Sequence, residues 1–377
     1  MEHKQRVLIV HNYYKLPGGE DMVVENEKCL LEEHGHFVDL YSRSNKEIDH
    51  FSVIQKLLFP FTILFSLRTY RDVKQLIREN DIDIVHVHNT LSLISPSVYY
   101  AAFACKKPVI QTVHNFRLLC PAATFLRDEK ICEECINKGL KCAVRYGCYR
   151  GSKIQSFMSA AILKLHRSLG TYKRLYYICL TDFNRRKILL LNQREKSYIK
   201  EERVFVKSNF TQIPLLKEIQ KKEQYLYVDR LEKLKGVRVL LEAWRGLTEK
   251  TLLICGSGPE EEWIRSYRKK YSMERVKLLG QCPHEEILRL LKESRALILP
   301  TMCYEGQPMT IMESYAVGTP VIASDIGNAG NMIEPEVTGI RFAYGDAEAL
   351  QKAVMCMEEK RDWDTCSVYE EKYTPEK

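Results

Sequence analysis

The chain has 377 residues, 45% hydrophobic and 28% charged, a composition typical of a soluble globular protein, and this length predicts two domains. The net charge of +8 suits anionic partners such as phosphates or acidic lipids, but no DNA- or RNA-binding motif accompanies it, so we expect no nucleic-acid partner. The longest uncharged apolar stretch, Leu57–Leu67, is about half the length of a membrane-spanning helix and the N-terminal apolar run is too short for a signal peptide, which predicts a cytoplasmic protein whose cysteines are mostly reduced thiols.

The N-terminal stretch predicts a βαβ unit made of strand Arg6–Val10, helix Glu20–His34 and strand Phe37–Tyr41. The loop between the first strand and the helix ends in Gly18 and Gly19. Glycine lets the backbone approach a phosphate or a sugar closely. The pair is therefore a candidate binding loop, although a plain tight turn has the same residues.

Two further strands, Asp83–His88 and Pro108–Val113, complete the predicted sheet of the first half, and His114 follows the second of them. A histidine at a strand end is more often structural than functional. Ligands of open α/β sheets, however, bind at the carboxyl ends of the strands. We therefore take His114 as a candidate site residue and assign His86 and His88 to packing or loop geometry.

A cysteine-rich insertion, at about residues 117–181, follows. Cys132 and Cys135 have the spacing of a metal knuckle, and Cys142 and Cys148 follow at six and five intervening residues. Tetrahedral zinc binds four thiolates, and a cytoplasmic cysteine cluster favours metal over disulfides. The spacing predicts a structural zinc site, with thiols in a loop or a redox role as the alternatives.

The insertion is also basic, because residues 136–181 contain no Asp or Glu but nine Lys or Arg, interleaved with aromatic and aliphatic residues. One interpretation is a solvated basic helix. The other is a patch that faces anionic lipid or a lipid-diphosphate acceptor, where each basic residue is worth about 1 kcal/mol. Leu57–Leu67 could add an apolar contact, although burial in the core explains that stretch more simply.

The chain turns polar and irregular at 211–224, which predicts an interdomain linker, and a new βα series starts with strand Tyr225–Val228. Arg230 and Lys235 bracket the loop between this strand and a helix that runs through Trp244. Two cations in such a loop can neutralise a diphosphate, Arg by a forked contact and Lys as a point charge. An ordinary basic loop is the alternative.

The rest of the second half continues the alternation of strands and helices. The predicted elements are Thr251–Cys255, Val276–Gly280, Glu285–Ser294, Ala296–Pro300, Thr310–Val317, Gly339–Phe342 and Asp346–Glu359.

One carboxylate precedes one of these helices, and a second lies inside it. Glu305 follows the strand Ala296–Pro300, and Glu313 lies inside the helix Thr310–Val317. The loop places Glu305 at the carboxyl end of a parallel strand, beside a helix N-terminus whose N–H groups attract anions. Alone, the spacing fits equally well one solvated and one helix-capping Glu.

The order of these features is more specific than the spacing. The acids, the Gly306-x-Pro308 turn and the Gly318-Thr319-Pro320 helix end resemble the E-x7-E segment of the retaining nucleotide-sugar glycosyltransferases of family 4 (glycosyl transferases group 1). The loop that holds Arg230 and Lys235 resembles the G-R-L-x-x-x-K-G motif of that family, except that Asp229 replaces its first glycine. The resemblance covers nearly the whole chain.

The resemblance implies the α/β GT-B fold, with two doubly wound Rossmann-like domains that face a central cleft. These would be residues 1–210 on the acceptor side and 225–360 for the nucleotide sugar, with 361–377 starting a crossover whose last helix is short or absent. It implies His114 and Glu305 as catalytic residues. It implies as donor-binding residues Gly18, Gly19, Arg230, Lys235, Gly306, Gln307, Pro308, Met309, Thr310 and Glu313.

The chemistry implied is retaining, metal-independent transfer of a sugar from a UDP- or GDP-linked donor to a glycan or lipid-linked acceptor in bacterial surface polysaccharide biosynthesis. Arg230 and Lys235 would replace the divalent metal, so no cofactor is expected for catalysis. The protein would be cytoplasmic and could bind the inner face of the cell membrane peripherally. A nucleotide-sugar epimerase of the same fold, or a non-catalytic partner in a polysaccharide assembly complex, are the alternatives.

Overall fold

Two structural units make up the chain in the computed structural model, which describes residues 4–15, 18–192, 197–214, 217–360 and 362–377. The first unit comprises Met1–Thr124 and Glu133–Ser208, and the second comprises Phe125–Cys132 and Asn209–Lys377. The division after Ser208 lies beside the boundary placed at 210 from the sequence. The segment 125–132, placed in the first domain from the sequence, groups with the second unit.

Most strands are short. They are β1 (Arg6–Tyr13), β2 (Phe37–Ser44), β3 (Ile84–Asn89), β4 (Val109–Val113), β5 (Leu126–Arg127), β6 (Lys130–Ile131), β7 (Tyr176–Cys179), β8 (Val204–Val206), β9 (Gln224–Val228), β10 (Thr251–Cys255), β11 (Val276–Gly280), β12 (Ala296–Leu299), β13 (Val321–Ser324) and β14 (Gly339–Phe342).

The helices alternate with the strands of the two main sheets. They are α1 (Gly19–Glu33), α2 (Val53–Leu64), α3 (Leu67–Glu79), α4 (Ser97–Ala104), α5 (Glu134–Asn137), α6 (Lys141–Tyr146), α7 (Lys153–Ser168), α8 (Asp182–Leu189), α9 (Val237–Trp244), α10 (Glu261–Lys270), α11 (His284–Glu293), α12 (Met309–Ala316), α13 (Gly327–Asn331), α14 (Ala347–Glu359) and α15 (Thr365–Lys372).

The sheet of the first unit has the order β2-β1-β3-β4-β7-β8, and all its strands are parallel. Its interior strand β1 contains a continuous apolar run in which Leu8, Ile9 and Val10 are fully buried. Strands covered on both faces require such runs. The parallel arrangement directs the ends of β1, β3 and β4 to one edge of the sheet, and the polar residues that follow them meet there.

The second sheet, β11-β10-β9-β12-β13-β14, is also parallel throughout. A buried cluster around Trp244, Tyr225 and Tyr227 packs helices against it. Each chain half is therefore a doubly wound α/β sheet, which confirms the predicted fold class. The hairpin β5–β6 belongs to this unit, and the ring of Phe125 beside it lies 5.8 Å from that of Tyr304.

The predicted elements correspond closely to those observed, with differences at the ends. The strands predicted at 251–255, 276–280 and 339–342 have those bounds in the structure. Strand β1 continues through His11 and Asn12, which were predicted to start a loop, and both residues are fully buried. Buried polar residues can extend a strand when other side chains satisfy them, and Asn12 donates a hydrogen bond to Asn45 at 3.0 Å.

The simplest prediction for the apolar stretch 57–67, burial in the core, was wrong. Helix α2 has no buried residue, and Leu57 and Phe61 are 70% and 68% exposed. Ser52 and Gln55 cap the helix reciprocally, so local hydrogen bonds rather than core packing define its start. Among the described residues, no helix has both the length and the apolar character that crossing a membrane requires.

The C-terminal segment contains the eight-residue helix α15. Helix α15 begins at Thr365, and the Asp364 carboxylate caps it by accepting the Ser367 N–H at 3.3 Å. It packs on α12, within the second unit. The Tyr369 hydroxyl donates a hydrogen bond to the carbonyl oxygen of Thr211 at 2.6 Å, which ties the end of the chain to the start of this unit.

Candidate active site

Two groups of candidate residues emerge, one in each unit. In the first unit, Gly18 precedes helix α1 with an extended backbone, and Gly19 is the first helical residue. The Gly18 N–H donates to the carboxylate of Asp21 at 3.0 Å, so this amide already has an anionic partner within the chain. Burial and the charge of Asp21 raise the pKa of Glu20 to about 8, which makes the Glu20 side chain mostly uncharged at neutral pH.

Histidines from the strand ends gather at the same edge of the first sheet. His114, directly after β4, shares a hydrogen bond with His88 between His114 Nε2 and His88 Nδ1, at 2.9 Å. Burial, followed by the charges of His88 and other neighbours, holds the pKa of His114 well below its usual range. A neutral imidazole can hydrogen-bond a sugar hydroxyl but does not supply a positive charge. The structure thus places His114 where a substrate-binding group is expected.

His86 and His88 lie within strand β3, which corresponds to the predicted strand Asp83–His88. Both rings face the carboxylate of Glu27 on α1, with nitrogens 3.5 and 3.3 Å from Glu27 Oε2. No sequence spacing connects residue 27 with 86 and 88, so sequence reasoning did not find this cluster.

A cavity in the first unit opens beside these residues. Its lining includes polar groups from the ends of β3 and β4 and apolar groups from α7, among them His88, His114, Asn115, Arg117 and Leu163. A pocket with an apolar wall and a few convergent polar groups is the usual form of a small-molecule site.

The second unit places Lys235 between two carboxylates. Lys235 Nζ lies 2.9 Å from Glu305 Oε1 and 3.0 Å from Asp229 Oδ2. Burial favours the neutral amine, but the charges of Asp229 and Glu305 outweigh it and raise the pKa of Lys235. Lys235 is therefore a cation at neutral pH, held at the carboxyl ends of β9 and β12.

Asp229 stands where the family motif has its first glycine, and its carboxylate does not pair with the Arg230 guanidinium. Its carboxylate contacts Lys235 and accepts the backbone N–H of Arg230 at 2.7 Å. The Arg230 guanidinium pairs instead with Glu232 at 2.9 Å and is half-exposed. Burial raises the pKa of Asp229, with Lys235 opposing that effect.

Glu305 is held from three directions. Besides Lys235, the Thr301 hydroxyl donates to Glu305 Oε1 at 2.8 Å, and the buried amide of Asn328 donates to the Glu305 carbonyl oxygen at 2.9 Å. Pro308 then precedes helix α12 without a side-chain cap. The first N–H groups of a helix have no intrahelical partners, so Met309 and Thr310 present amides suited to an anion.

Glu313, on the first turns of α12, is buried, and its Oε1 lies 3.1 Å from His284 Nε2. That hydrogen bond, more than the opposing burial, raises the pKa of His284. Sequence reasoning missed His284, because no motif connects it with Glu313. Gln307 is also buried, and its Oε1 accepts the N–H of Asn209 at 2.7 Å, so part of its amide serves the local fold.

Three of the four predicted cysteine ligands pack in one cluster. Cys135, Cys142 and Cys148 belong to one hydrophobic cluster of the first unit, whereas Cys132 falls in the segment that groups with the second. Burial, then Cys120 and other nearby thiols, raise the pKa of Cys135 to about 12. Among the described residues, the donor group close enough to hold a metal is Glu27, His86 and His88 rather than these four thiols. Structural zinc at the cysteines stays a prediction.

Two Asp-x-Asp tripeptides occur in the chain, at 81–83 and 362–364, and some glycosyltransferases bind a divalent metal through such a motif. Asp83 accepts the backbone N–H of Arg6 at 2.9 Å, and Asp364 caps α15. Both of these carboxylates therefore have local structural roles.

Comparison with known proteins gives two family matches. The model described as "Glycosyl transferases group 1" matches residues 210–372, and the model described as "Glycosyltransferase Family 4" matches residues 17–136. The two matches lie on the two halves of the chain, and together they cover both candidate groups.

Among curated relatives, a glycogen synthase of Mycobacterium tuberculosis is 34% identical over 136 residues, which is 35% of this chain and 33% of that protein. The amylovoran biosynthesis glycosyltransferase AmsK of Erwinia amylovora is 36% identical over 135 residues, 33% of each chain. The matched stretch thus spans about a third of the length of these relatives.

Solved structures are similar over nearly the whole chain. Anabaena Alr3699/HepE in complex with UDP and glucose has a TM-score of 0.66 at 16% identity, over 98% of this chain and 96% of that one. The apo form of the lipopolysaccharide outer core galactosyltransferase WaaB has a TM-score of 0.63 at 18% identity, over 98% and 95%. At these identities the likeness shows the fold, which is GT-B.

Proposed function

Because the chain belongs to the glycosyl transferases group 1 and has the GT-B fold, we propose that it transfers a glycosyl group from a nucleotide sugar to a glycan or lipid-linked acceptor, with retention at the anomeric carbon. The observation that carries the proposal is the cluster of Lys235, Asp229 and Glu305. It lies in the second unit with the uncapped N-terminus of α12, which directly follows the Glu305 loop.

The difficult step is cleavage of the bond between the sugar and the diphosphate, because negative charge builds up on the leaving group. Preorganised cations and N–H groups lower the barrier when they face the developing charge. We assign this task to Lys235, Arg230 and the amides of Met309 and Thr310. A bound metal would then not be needed, and metal-independent catalysis is part of the proposal.

The two carboxylates have separate tasks. Glu305 is held by Lys235 and by Thr301, and we assign it to orient hydroxyl groups of the donor sugar, with the amides after Gly306 beside it. Glu313 has one oxygen held by His284, and we assign its other oxygen to accept hydrogen bonds from the ribose hydroxyls. In the first unit, we assign His114 to bind the sugar near the reacting carbon, and the amides of the Gly18–Gly19 loop to contact the phosphate or the acceptor.

A UDP- or GDP-linked sugar is the proposed donor. The structural neighbour from Anabaena binds UDP and glucose, and relatives such as AmsK and WaaB act in polysaccharide or lipopolysaccharide synthesis by their names. These names support a bacterial surface polysaccharide as the product class.

A lipid-linked acceptor would require contact with a membrane, and the first unit has a suitable surface. Helix α2 exposes Val53, Ile54, Leu57, Leu58 and Phe61, and the adjoining helix α7 exposes Ile154 and Phe157. Exposed lysines lie on the same helices, at positions 56, 153 and 164. An apolar face with flanking cations is the surface of a protein that lies on anionic lipid. We call this surface the α2–α7 patch.

Nucleotide release from a panel of UDP-, GDP- and ADP-sugars, with and without bacterial lipid extract, tests the proposal. Lipid-stimulated release from one donor is expected, with the anomeric configuration of the product retained in its NMR spectrum. Glu305→Gln and Lys235→Met should abolish release. Glu348→Gln and Lys233→Met, the same changes at exposed positions of the same unit, are the controls.

Three other outcomes would contradict the proposal. An isomerised sugar nucleotide formed from donor alone would indicate an epimerase. Tight nucleotide binding without turnover of any donor would indicate a non-catalytic partner. A product with inverted configuration would contradict the retaining mechanism.

A further inference from the structure

A chain of polar side chains runs through the interior of the first unit to His114. Lys207 Nζ lies 2.7 Å from Glu27 Oε1. Glu27 Oε2 lies 3.3 Å from His88 Nε2, and His88 Nδ1 lies 2.9 Å from His114 Nε2. Glu27 and His88 are 5% and 3% exposed. The proposed function assigns a role to His114 but none to Lys207, Glu27 or His88.

The direction of the hydrogen bonds follows from the charge on Glu27. Although burial opposes ionisation, the charge of His86, the hydrogen bond from His88 and the charge of Lys207 hold the pKa of Glu27 well below its usual range. An ionised carboxylate only accepts hydrogen bonds. His88 Nε2 therefore carries a proton towards Glu27, and in a neutral His88 the other nitrogen, Nδ1, is an acceptor. His114 must then donate from Nε2.

We infer that Lys207, Glu27 and His88 are positioning residues that hold His114 in the tautomer with its proton on Nε2 and a lone pair on Nδ1. The remaining nitrogen of a histidine is set by the hydrogen bond that the first one makes. With Nδ1 as an acceptor, His114 recognises a hydrogen-bond donor, such as a sugar hydroxyl, and not a phosphate oxygen. The identity of that ligand rests on the proposed function, whereas the tautomer does not.

His86 forms a side branch of the same cluster. Its Nδ1 lies 3.5 Å from Glu27 Oε2, and its Nε2 lies 2.8 Å from the Thr112 hydroxyl. Glu27, His86 and His88 could instead hold a metal ion. Lys207 already places a positive charge against Glu27, however, so this carboxylate has a cationic partner without a metal ion.

The tautomer can be measured in the full-length protein labelled with 15N-histidine. Long-range 1H–15N correlation spectra distinguish the two neutral tautomers from each other and from the cation, and the His114→Gln variant assigns the His114 signals. The expected result at neutral pH is the Nε2–H form. An Nδ1–H form would overturn the inference, because His114 Nε2 would then accept a hydrogen bond from His88. A cationic His114 would also overturn it, because no lone pair would remain on Nδ1.

Glu27→Gln provides the decisive comparison. A Gln amide can donate or accept, so it no longer fixes the proton on His88, and the His114 signals should move towards a mixture of tautomers. Glu25→Gln is the matched control, since it is the same change on the same helix at an exposed residue that hydrogen-bonds Tyr13. Unchanged His114 signals in Glu27→Gln would overturn the inference.

Two further measurements address the cases in which Glu27→Gln does not fold or the cluster binds a metal ion. If Glu27→Gln does not fold, Lys207→Met, at a side chain 42% exposed, should shift the His114 signals in the same direction. Metal content is the second measurement. The inference would be overturned if the purified protein retains one equivalent of a metal and the Glu27→Gln variant loses it. The ion would then bind His88 Nε2 in place of the proton that the inference puts there.

Measurement of kcat tests independently whether the tautomer of His114 matters for the reaction. In the active enzyme, Glu27→Gln should lower kcat roughly tenfold, at the low end for residues that orient a functional histidine through a hydrogen bond, while Glu25→Gln leaves kcat unchanged. An unchanged kcat in a variant with a mixed tautomer would show that the tautomer is irrelevant to the reaction. If no donor is turned over by the unaltered protein, the proposed function fails and the NMR experiment still decides the tautomer.

Discussion

Lys235 shows how one side chain can serve both stability and chemistry. Its ammonium group compensates Asp229 and Glu305, and its side chain is 12% exposed. Removing one partner from a buried ion pair leaves an uncompensated charge, which costs roughly 3 kcal/mol or more. Lys235→Met should lower the free energy of unfolding by about that amount, measured by urea denaturation. Lys233→Met, at an exposed position of the same loop, should change it little.

The double variant Asp229→Asn/Lys235→Met separates charge from packing. If charge is the cause, neutralising Asp229 should recover part of the lost stability, because only one buried carboxylate then lacks its cation. Equal stability of Lys235→Met with and without Asp229→Asn would contradict this explanation.

Asp229 should also set donor affinity, because its carboxylate lies against the cation that we assign to the diphosphate. Asp229→Asn removes one negative charge without changing the shape of the side chain. At an effective dielectric of roughly 20 or more, we expect a repulsion of about 1 kcal/mol between the Asp229 carboxylate and the diphosphate. Removing it should raise the affinity for the nucleotide about fivefold. Calorimetry with UDP should show tighter binding in the variant, and the gain should shrink at high salt. Weaker binding would mean that Asp229 positions Lys235 rather than repels the donor.

His284 predicts a pH dependence of donor binding. The hydrogen bond with Glu313 raises the pKa of His284, so the imidazolium that holds Glu313 is present below the ordinary value of about 6.5 and is lost as the pH rises through the raised pKa. The donor KM should therefore increase as the pH rises above about 6.5 and through the raised pKa of His284. His284→Gln keeps a hydrogen-bond donor without a titrating charge and should flatten the profile. An unchanged profile would assign the pH dependence to another group.

At the scale of residues, the sequence suggested residues that a motif contains but not their partners. Arg230, Lys235, Glu305 and Glu313 were predicted as site residues because their spacing is part of a recognisable segment. His284 and Asn328 were not, because contacts between residues far apart in the chain leave no local pattern.

At the scale of elements, Gly236 fixes the loop that carries Lys235. Its φ of +76° lies in the left-handed region, and a Cβ atom there would come within 1.6 Å of the Pro300 carbonyl oxygen. Gly236→Ala therefore combines backbone strain of about 1 kcal/mol with a clash that only movement of the loop relieves. We expect a lower thermal midpoint and weaker nucleotide binding. Gly18→Ala, with an extended φ and no heavy atom within 4 Å of its Cβ, should keep the midpoint. An unchanged midpoint in Gly236→Ala would show that the loop adapts.

The elements themselves were the most predictable part of the protein. Buried parallel strands such as β10 and β11 are apolar runs between turn residues, and that signal is local. Strand β1 was predicted too short, because His11 and Asn12 are polar, and their hydrogen bonds to Asp21 and Asn45, outside the strand, leave no signal in the strand's own sequence. The exposure of helix α2 could not be predicted, because an apolar run has the same composition whether it packs in a core or remains exposed.

On the scale of the whole molecule, the α2–α7 patch predicts that the protein binds membranes. The protein should bind vesicles that contain anionic lipid more tightly than neutral vesicles, because the patch combines apolar side chains with lysines. Leu57→Ser, Leu58→Ser and Phe61→Ser together should lower the partition coefficient roughly a hundredfold, if each loses about 1 kcal/mol of apolar contact. These residues are 70%, 52% and 68% exposed, so the fold should tolerate the changes.

The control for that experiment lies in the second unit, where Leu279, Val337 and Met355 are also exposed hydrophobic residues. Changing these three residues together to serine should leave vesicle binding unaltered, because they lie outside the patch. Equal loss in both variants would mean that binding follows total apolar surface, and equal binding to neutral and anionic vesicles would remove the role of the lysines. If only the α2 variant loses both vesicle binding and lipid-stimulated nucleotide release, while release without lipid persists, the patch delivers the acceptor and takes no part in donor cleavage.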